Sequence, residues 1–189
     1  SVLDWCAMST GAPIDTNQKK GVPKPVLHHL LALGLEQNKD TQEPFDQICA
    51  LIIDQVPGLR EKKVRTNSLA RARTTSRIVD RMLLDTVHKM SKNRLDTHIW
   101  SYGAGFDGRW ERMYTHLDGK IDYYHEVETE SILRFKHQVL EGSSFQNHWA
   151  QVDKYPSPMG SWGSEMREFG CHVAILEGLW SRMPFQLFK

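Results

Sequence analysis

Long apolar runs are missing from this chain. The longest, Ile48–Ile53 and Val173–Leu176, fall far short of the roughly 20 residues that a membrane-spanning helix needs, so no membrane partner is expected. Cysteine is scarce as well. The three copies (Cys6, Cys49 and Cys171) are odd in number, far apart and without C-x-x-C spacing. That argues against a metal framework and for a reducing, cytoplasmic compartment. Nor is there an excess of one charge sign. The 24 Lys and Arg against 23 Asp and Glu leave +1, with no global pull towards nucleic acid or an anionic membrane. The opening SVLDWCAMST has neither the basic segment nor the apolar core of a secretion signal, and no initiator Met. The expectation is a processed, trimmed or partial chain.

What is present suits a globular protein. Hydrophobic residues at 40% and charged residues at 25% allow one domain with a real core in 189 residues. Residues 1–23, with Gly11, Pro13, Gly21 and Pro23, read as an irregular arm. Leucines at 27, 30, 31, 33 and 35 predict a short buried helix, with His28 and His29 lining a face rather than binding a ligand. After a break at 40–44, FDQICALIIDQV predicts a second amphipathic helix that Pro57-Gly58 ends. Residues 60–94 read as one long helix, with Leu69, Ala72, Ile78, Val79, Met82, Leu83 and Val87 at helical spacing. Its basic face (Arg65, Arg71, Arg73, Arg77, Arg81) lacks interleaved aromatics and is broken by Asp80 and Asp85. We read a solvated face with one or two anion-binding arginines, not a nucleic-acid surface.

The stretch Asp96 to Glu128 organises the remainder. It predicts a strand (97–102), a glycine turn (Gly103-Ala104-Gly105), a short helical crossover, and a strand (121–127) followed by Glu128. TESILRFKHQVLE then predicts a helix, with Ile132, Phe135, Val139 and Leu140 on one face and Gly142 as its stop. FQNHWAQVD is read as a third strand ending at Asp153, and CHVAILEGLW as a fourth that breaks at Glu177-Gly178. This alternation predicts an α/β fold with a mostly parallel sheet, in which ligands bind beyond the carboxyl ends of the strands. Glycines or acids (Gly103 and Gly105, Glu128, Asp153, Glu177) are expected at all four tips.

The run from Gly103 to Gly108 matches G-x-G-x-x-G, the mark of a dinucleotide site and of a nicotinamide-dependent oxidoreductase. Asp107 argues against it, because it places negative charge where phosphates would lie. An acid there suits a cofactor with a cationic end, an α-ammonium or a sulfonium.

The segments YGAGFDGRW, YHEVE…LRFK and AILEGLW follow an arginine-containing helix, ARARTTSRIVD. In order and spacing they resemble class I S-adenosylmethionine-dependent methyltransferases, and more narrowly the leucine carboxyl methyltransferase-like group. That group includes O-methyltransferases of polyketide and peptide biosynthesis. The resemblance runs from about Leu69 to Leu179. It implies a Rossmann-like fold with helices on both faces of the sheet. It also implies an N-terminal arm and helical cap or lid (1–64) before an S-adenosylmethionine-binding domain (65–189). The family's sheet continues past its fourth strand, so a C-terminally incomplete domain is expected, with an uncovered edge inviting dimerisation.

The resemblance also assigns roles. Gly103 and Gly105 would approach the methionine part with Asp107 nearby, and Glu128 would hold the ribose hydroxyls. Asp153 would contact the adenine amino group, and Glu177 would floor the active site. Arg73 would pair with the cofactor carboxylate, with Arg71 and Arg77 as competitors. The implied acceptor is a small-molecule hydroxyl or a carboxylate, including a carboxyl terminus. A hydroxyl would profit from a base, for which His125, His148 and His172 are equal candidates. No metal is expected. The alternative is a non-catalytic or incomplete methyltransferase-like domain that only binds cofactor or a partner.

Overall fold

The computed structural model describes residues 24–35, 44–56, 58–61, 66–92, 96–156 and 170–176. Among the described residues three helices come first: α1 (Lys24–Gly34), α2 (Gln47–Gln55) and α3 (Thr66–Met90). There follow β1 (Thr97–Tyr102), α4 (Arg109–Leu117), β2 (Tyr123–Glu128), α5 (Glu130–Leu140), α6 (Gln146–Ala150), β3 (Val152–Pro156) and β4 (Cys171–Ile175). The four strands form one sheet in the order β3-β2-β1-β4, with every neighbour parallel. Parallel neighbours need crossovers, which α4 supplies between β1 and β2, and α5 with α6 between β2 and β3. The strand order reverses between β1 and β4, the switch point at which such sheets hold ligands. The chain is therefore α/β with an all-parallel sheet, compatible with a Rossmann-like fold.

Side-chain alternation along the strands separates two apolar layers. Ile99, Tyr124, Val152 and Ile175 face the larger one, which also takes in Leu30, Leu31 and Leu33 of α1, Ile48, Ile52 and Ile53 of α2, Leu83 and Val87 of α3, and Phe135 and Leu140 of α5. Each such fully buried aliphatic side chain contributes about 1.5–3 kcal/mol. The N-terminal helices thus share the core of the sheet. The opposite face carries Trp100, Tyr102 and Val127, with Tyr155 and Leu176 against them. Among the described residues the helices join the first layer alone, whereas helices on both faces were expected.

One element differs from the sequence reading. Residues 146–150 form α6, and β3 begins only at Val152. Phe145 and Trp149 lie four apart and both pack on the core, which is a helical repeat rather than strand alternation. Asp153 is consequently the second residue of β3 and pairs in register with His125, while Glu128 is level with Pro156. Asp153 is not at a strand tip.

No helix among the described residues is long and apolar enough to cross a membrane.

Candidate functional site

The tips of β1 and β2 meet at one carboxylate. Gly103 and Gly105 adopt φ of 62° and 54°, a region that only glycine enters without strain. Gly103 N–H donates to Val127 O at 2.8 Å, carrying the β1–β2 ladder one residue past the strand. Gly105 N–H then donates to Glu128 Oε2 at 3.0 Å, and Thr129 N–H to Glu128 Oε1 at 2.7 Å. Glu128 is buried, so its charge rests on those two amides.

Under the turn lies a layer of paired charges. Asp107 accepts from Arg112 Nη1 at 3.1 Å and stands 3.1 Å from Arg109 Nη2. Both arginines also reach Asp80 of α3, Arg109 through Nε at 2.7 Å and Arg112 through Nε at 2.8 Å. Burial alone would raise the Asp107 carboxyl, but the two guanidiniums hold it well below the usual carboxylate range. Its charge is therefore engaged within the protein. Beside this group Lys136, fully buried, donates to both oxygens of Glu126 (2.6 and 2.9 Å) and to Asp107 O at 2.9 Å.

Asp46 completes the layer from the connection between α1 and α2. Its Oδ1 accepts from Cys49 N–H at 2.9 Å and caps α2, while Oδ2 accepts from Gly108 N–H at 2.9 Å and pairs with Arg112. Gly108 is the N-cap of α4, and the amide end of a helix is where a phosphate would bind. That position is already filled by an internal carboxylate. A Cβ on Gly108 would lie 2.6 Å from Asp46 Oδ1 and 2.7 Å from Ile48 Cβ. Replacing Gly108 by Ala is expected to lower stability by about 1–3 kcal/mol, as overpacking does. A urea titration showing a loss under a few tenths would refute the close packing.

The second face of the sheet bears a histidine–aromatic stack. His98 Nδ1 and His125 Nε2 are 3.0 Å apart, and Trp100 Nε1 donates to His172 Nδ1 at 3.0 Å. Trp100 stacks on His125 with ring centres 3.9 Å apart. Asp153 Oδ2 is 3.1 Å from His125 Nδ1, without hydrogen-bond geometry. Burial pushes the His125 pKa down to about 4, helped by His98 and His172 and opposed by Asp153. His98 is lowered too, by burial and then His172, against Asp96, Asp122 and Asp153. A depressed histidine takes up its proton more readily once unfolded, so its stabilising effect is complete above the unfolded value of about 6.5 and is lost as pH falls towards 4. Wild type should lose up to about 3 kcal/mol more than His125→Phe between pH 7 and pH 4.5, at 1.36 kcal/mol per unit. Parallel pH profiles of the urea midpoint would count against a neutral, buried His125. Among the described residues no group of three or more His, Cys, Asp or Glu is arranged to hold a metal ion.

The residues marked out by sequence fare differently. Gly103, Gly105 and Glu128 converge, and Asp107 sits directly beneath them. Arg73 of α3 turns to α1, its Nε donating to Ala32 O at 3.1 Å, and Arg77 lies over the Phe45 ring. Arg109 and Arg112 reach the turn through Asp107. His125 and His172 sit mid-strand in the stack, and His148 Nδ1 is 2.6 Å from Glu111 Oε2. Glu177 lies outside the described residues. Sequence reasoning missed Asp46, Arg109, Arg112 and the Glu126–Lys136 pair. The i, i+3 spacing of Arg109 and Arg112 just after Asp107 was a signal for two of them.

A groove of about 590 Å³ runs between α5 and the end of β3, lined among others by Glu130, Arg134, His137, Trp149 and Lys154. It lies outside the turn. No protein-family model matches the chain, and no curated protein proved similar to it.

Proposed function

We propose that the chain is an S-adenosylmethionine-dependent methyltransferase domain that methylates an oxygen of a small molecule or a carboxylate. One observation carries the reading. The glycine turn opens onto a buried carboxylate, Glu128, while the amide end of α4 is occupied by Asp46 and flanked by Asp107. A dinucleotide would bring its pyrophosphate to that end, where Asp46 already takes the Gly108 N–H and three acids (Asp46, Asp80 and Asp107) share the two arginines. An S-adenosyl group brings no phosphate there, and it fits the hydroxyl-binding acid and the absence of side chains at Gly103 and Gly105. Bound, it would supply a methyl on a sulfonium for in-line displacement by an acceptor oxygen. Glu128 would accept from the ribose hydroxyls and fix the sugar. Asp107, neutralised by Arg109 and Arg112, would shape the turn rather than meet the cofactor's ammonium group. Catalysis would rest on positioning.

The second reading, a domain that binds cofactor without turnover, gains from one feature. None of the candidate bases, His125, His148 or His172, lies at the tip of β1 or β2. A carboxylate acceptor needs no base, so the first reading narrows towards carboxylates. Calorimetric titration with S-adenosylmethionine, S-adenosylhomocysteine and NAD tests both readings. Binding of the S-adenosyl ligands alone is expected. Binding of NAD alone, or of none, overturns both, and binding without methyl transfer to a panel of carboxylates and hydroxyls favours the second.

A further inference from the structure

We propose that Asp46 is a positioning residue of the cofactor cradle, through which helices α1 and α2 set the glycine turn and hence cofactor affinity. The inference rests on the methyltransferase reading and adds an interaction on which no sequence motif bears.

Asp46 is 1% exposed and tied on every side. Its N–H donates to Leu33 O of α1 at 3.1 Å, and its carboxylate caps α2 through Cys49. The same carboxylate holds Gly108 N–H and Arg112. A simple cap needs one oxygen. Here the second is spent on a residue 62 positions away, at the point where the turn becomes α4. Arg112 passes the constraint on to Asp107, and through Asp80 to α3. Gly105 is held from the other side by Glu128, and Asp107 O from below by Lys136. The loop from Gly105 to Gly108 therefore hangs from three charged side chains on three separate elements. Burial raises the Asp46 carboxyl, against the pull of Arg112, so the group is costly to keep there and an N-cap alone does not account for it. Linkage is reciprocal: if Asp46 favours the cofactor-ready turn, cofactor also seats α1 and α2.

The test compares the full chain with Asp46→Asn and Ile48→Ala. Asparagine keeps an oxygen for the α2 cap but presents an amide to Gly108 N–H and Arg112. Ile48→Ala loosens the same packing without touching the charges. Asp46→Asn should weaken S-adenosylhomocysteine binding by about tenfold or more, the scale of one lost charge-assisted hydrogen bond. Ile48→Ala should melt lower with nearly unchanged affinity. Equal losses in the two variants, or full affinity in Asp46→Asn, overturn the proposal and leave the methyltransferase reading standing. If wild type binds no S-adenosyl ligand, both fall. Should Asp46→Asn not fold, amide exchange in wild type decides. Gly108 is expected to slow together with Gly105 when S-adenosylhomocysteine saturates the protein, and an unmoved Gly108 refutes the coupling.

Discussion

Replacing Lys136 by Met should destabilise the fold by about 3–5 kcal/mol, the cost of breaking a buried ion pair from one side. The ammonium has three donors, and the structure uses all three, on Glu126 Oε1, Glu126 Oε2 and Asp107 O. Its nitrogen also lies 4.8 Å from the centre of the Trp149 ring. Methionine fills the volume but leaves Glu126, 2% exposed, without a counter-charge. Burial already raises the Glu126 carboxyl even with Lys136 opposing it. Without the lysine that rise must grow. A carboxyl whose folded pKa lies above its unfolded value near 4.3 favours the folded state in acid and loses that advantage as pH climbs through the folded value. The deficit of Lys136→Met should therefore shrink as pH is lowered towards 5. The double variant Glu126→Gln/Lys136→Met should recover much of the loss at pH 7. A deficit below 1 kcal/mol in urea titrations, or one independent of pH, would contradict the pairing.

Glu128→Ala is expected to weaken S-adenosylmethionine binding by about 100-fold or more, since two hydrogen bonds to a charged group at 1.5–3 kcal/mol each are lost. The same variant strips acceptors from Gly105 N–H and Thr129 N–H, costing about 1–3 kcal/mol of stability where an amide is left buried. Glu128→Gln separates the two effects. Its single amide oxygen can serve one backbone N–H and partly preserve the fold, yet it cannot offer two charged acceptors to a ribose. Calorimetry alongside thermal melts should show Glu128→Gln nearer wild type in stability than in affinity. Wild-type affinity in either variant would remove Glu128 from the ligand site and, with it, the basis of the methyltransferase reading.

Much of the sheet could be read in advance. β1 spans Thr97–Tyr102 as its β-prone residues and the following glycines indicate, and β2 and α5 lie within two residues of their sequence limits. The signals there are local: side-chain period, a glycine that must take positive φ, a helix stop at Gly142 (φ 74°). The segment before β3 failed because its aromatics suit a strand by propensity, while their four-residue spacing buries Trp149 and packs half-buried Phe145 against the same core. Asp153 moved with it, from a tip to the base of its strand. Propensity is a weak prior when packing chooses the face.

That Gly103, Gly105 and Glu128 come together as a candidate site was legible because each stands at the end of a locally coded strand. Sequence alone also determined that the turn carries an acid, Asp107, where a phosphate-binding loop carries none. Only the tertiary structure decided what that acid does. Arg109 and Arg112, which Asp80 also holds, neutralise it, Lys136 holds its carbonyl, and Asp46 arrives from another helix to occupy the amide end of α4. Those partners come from helices that the core brings together, and no local period encodes them. A buried charge must find its counter-charge wherever the packing of those helices places one.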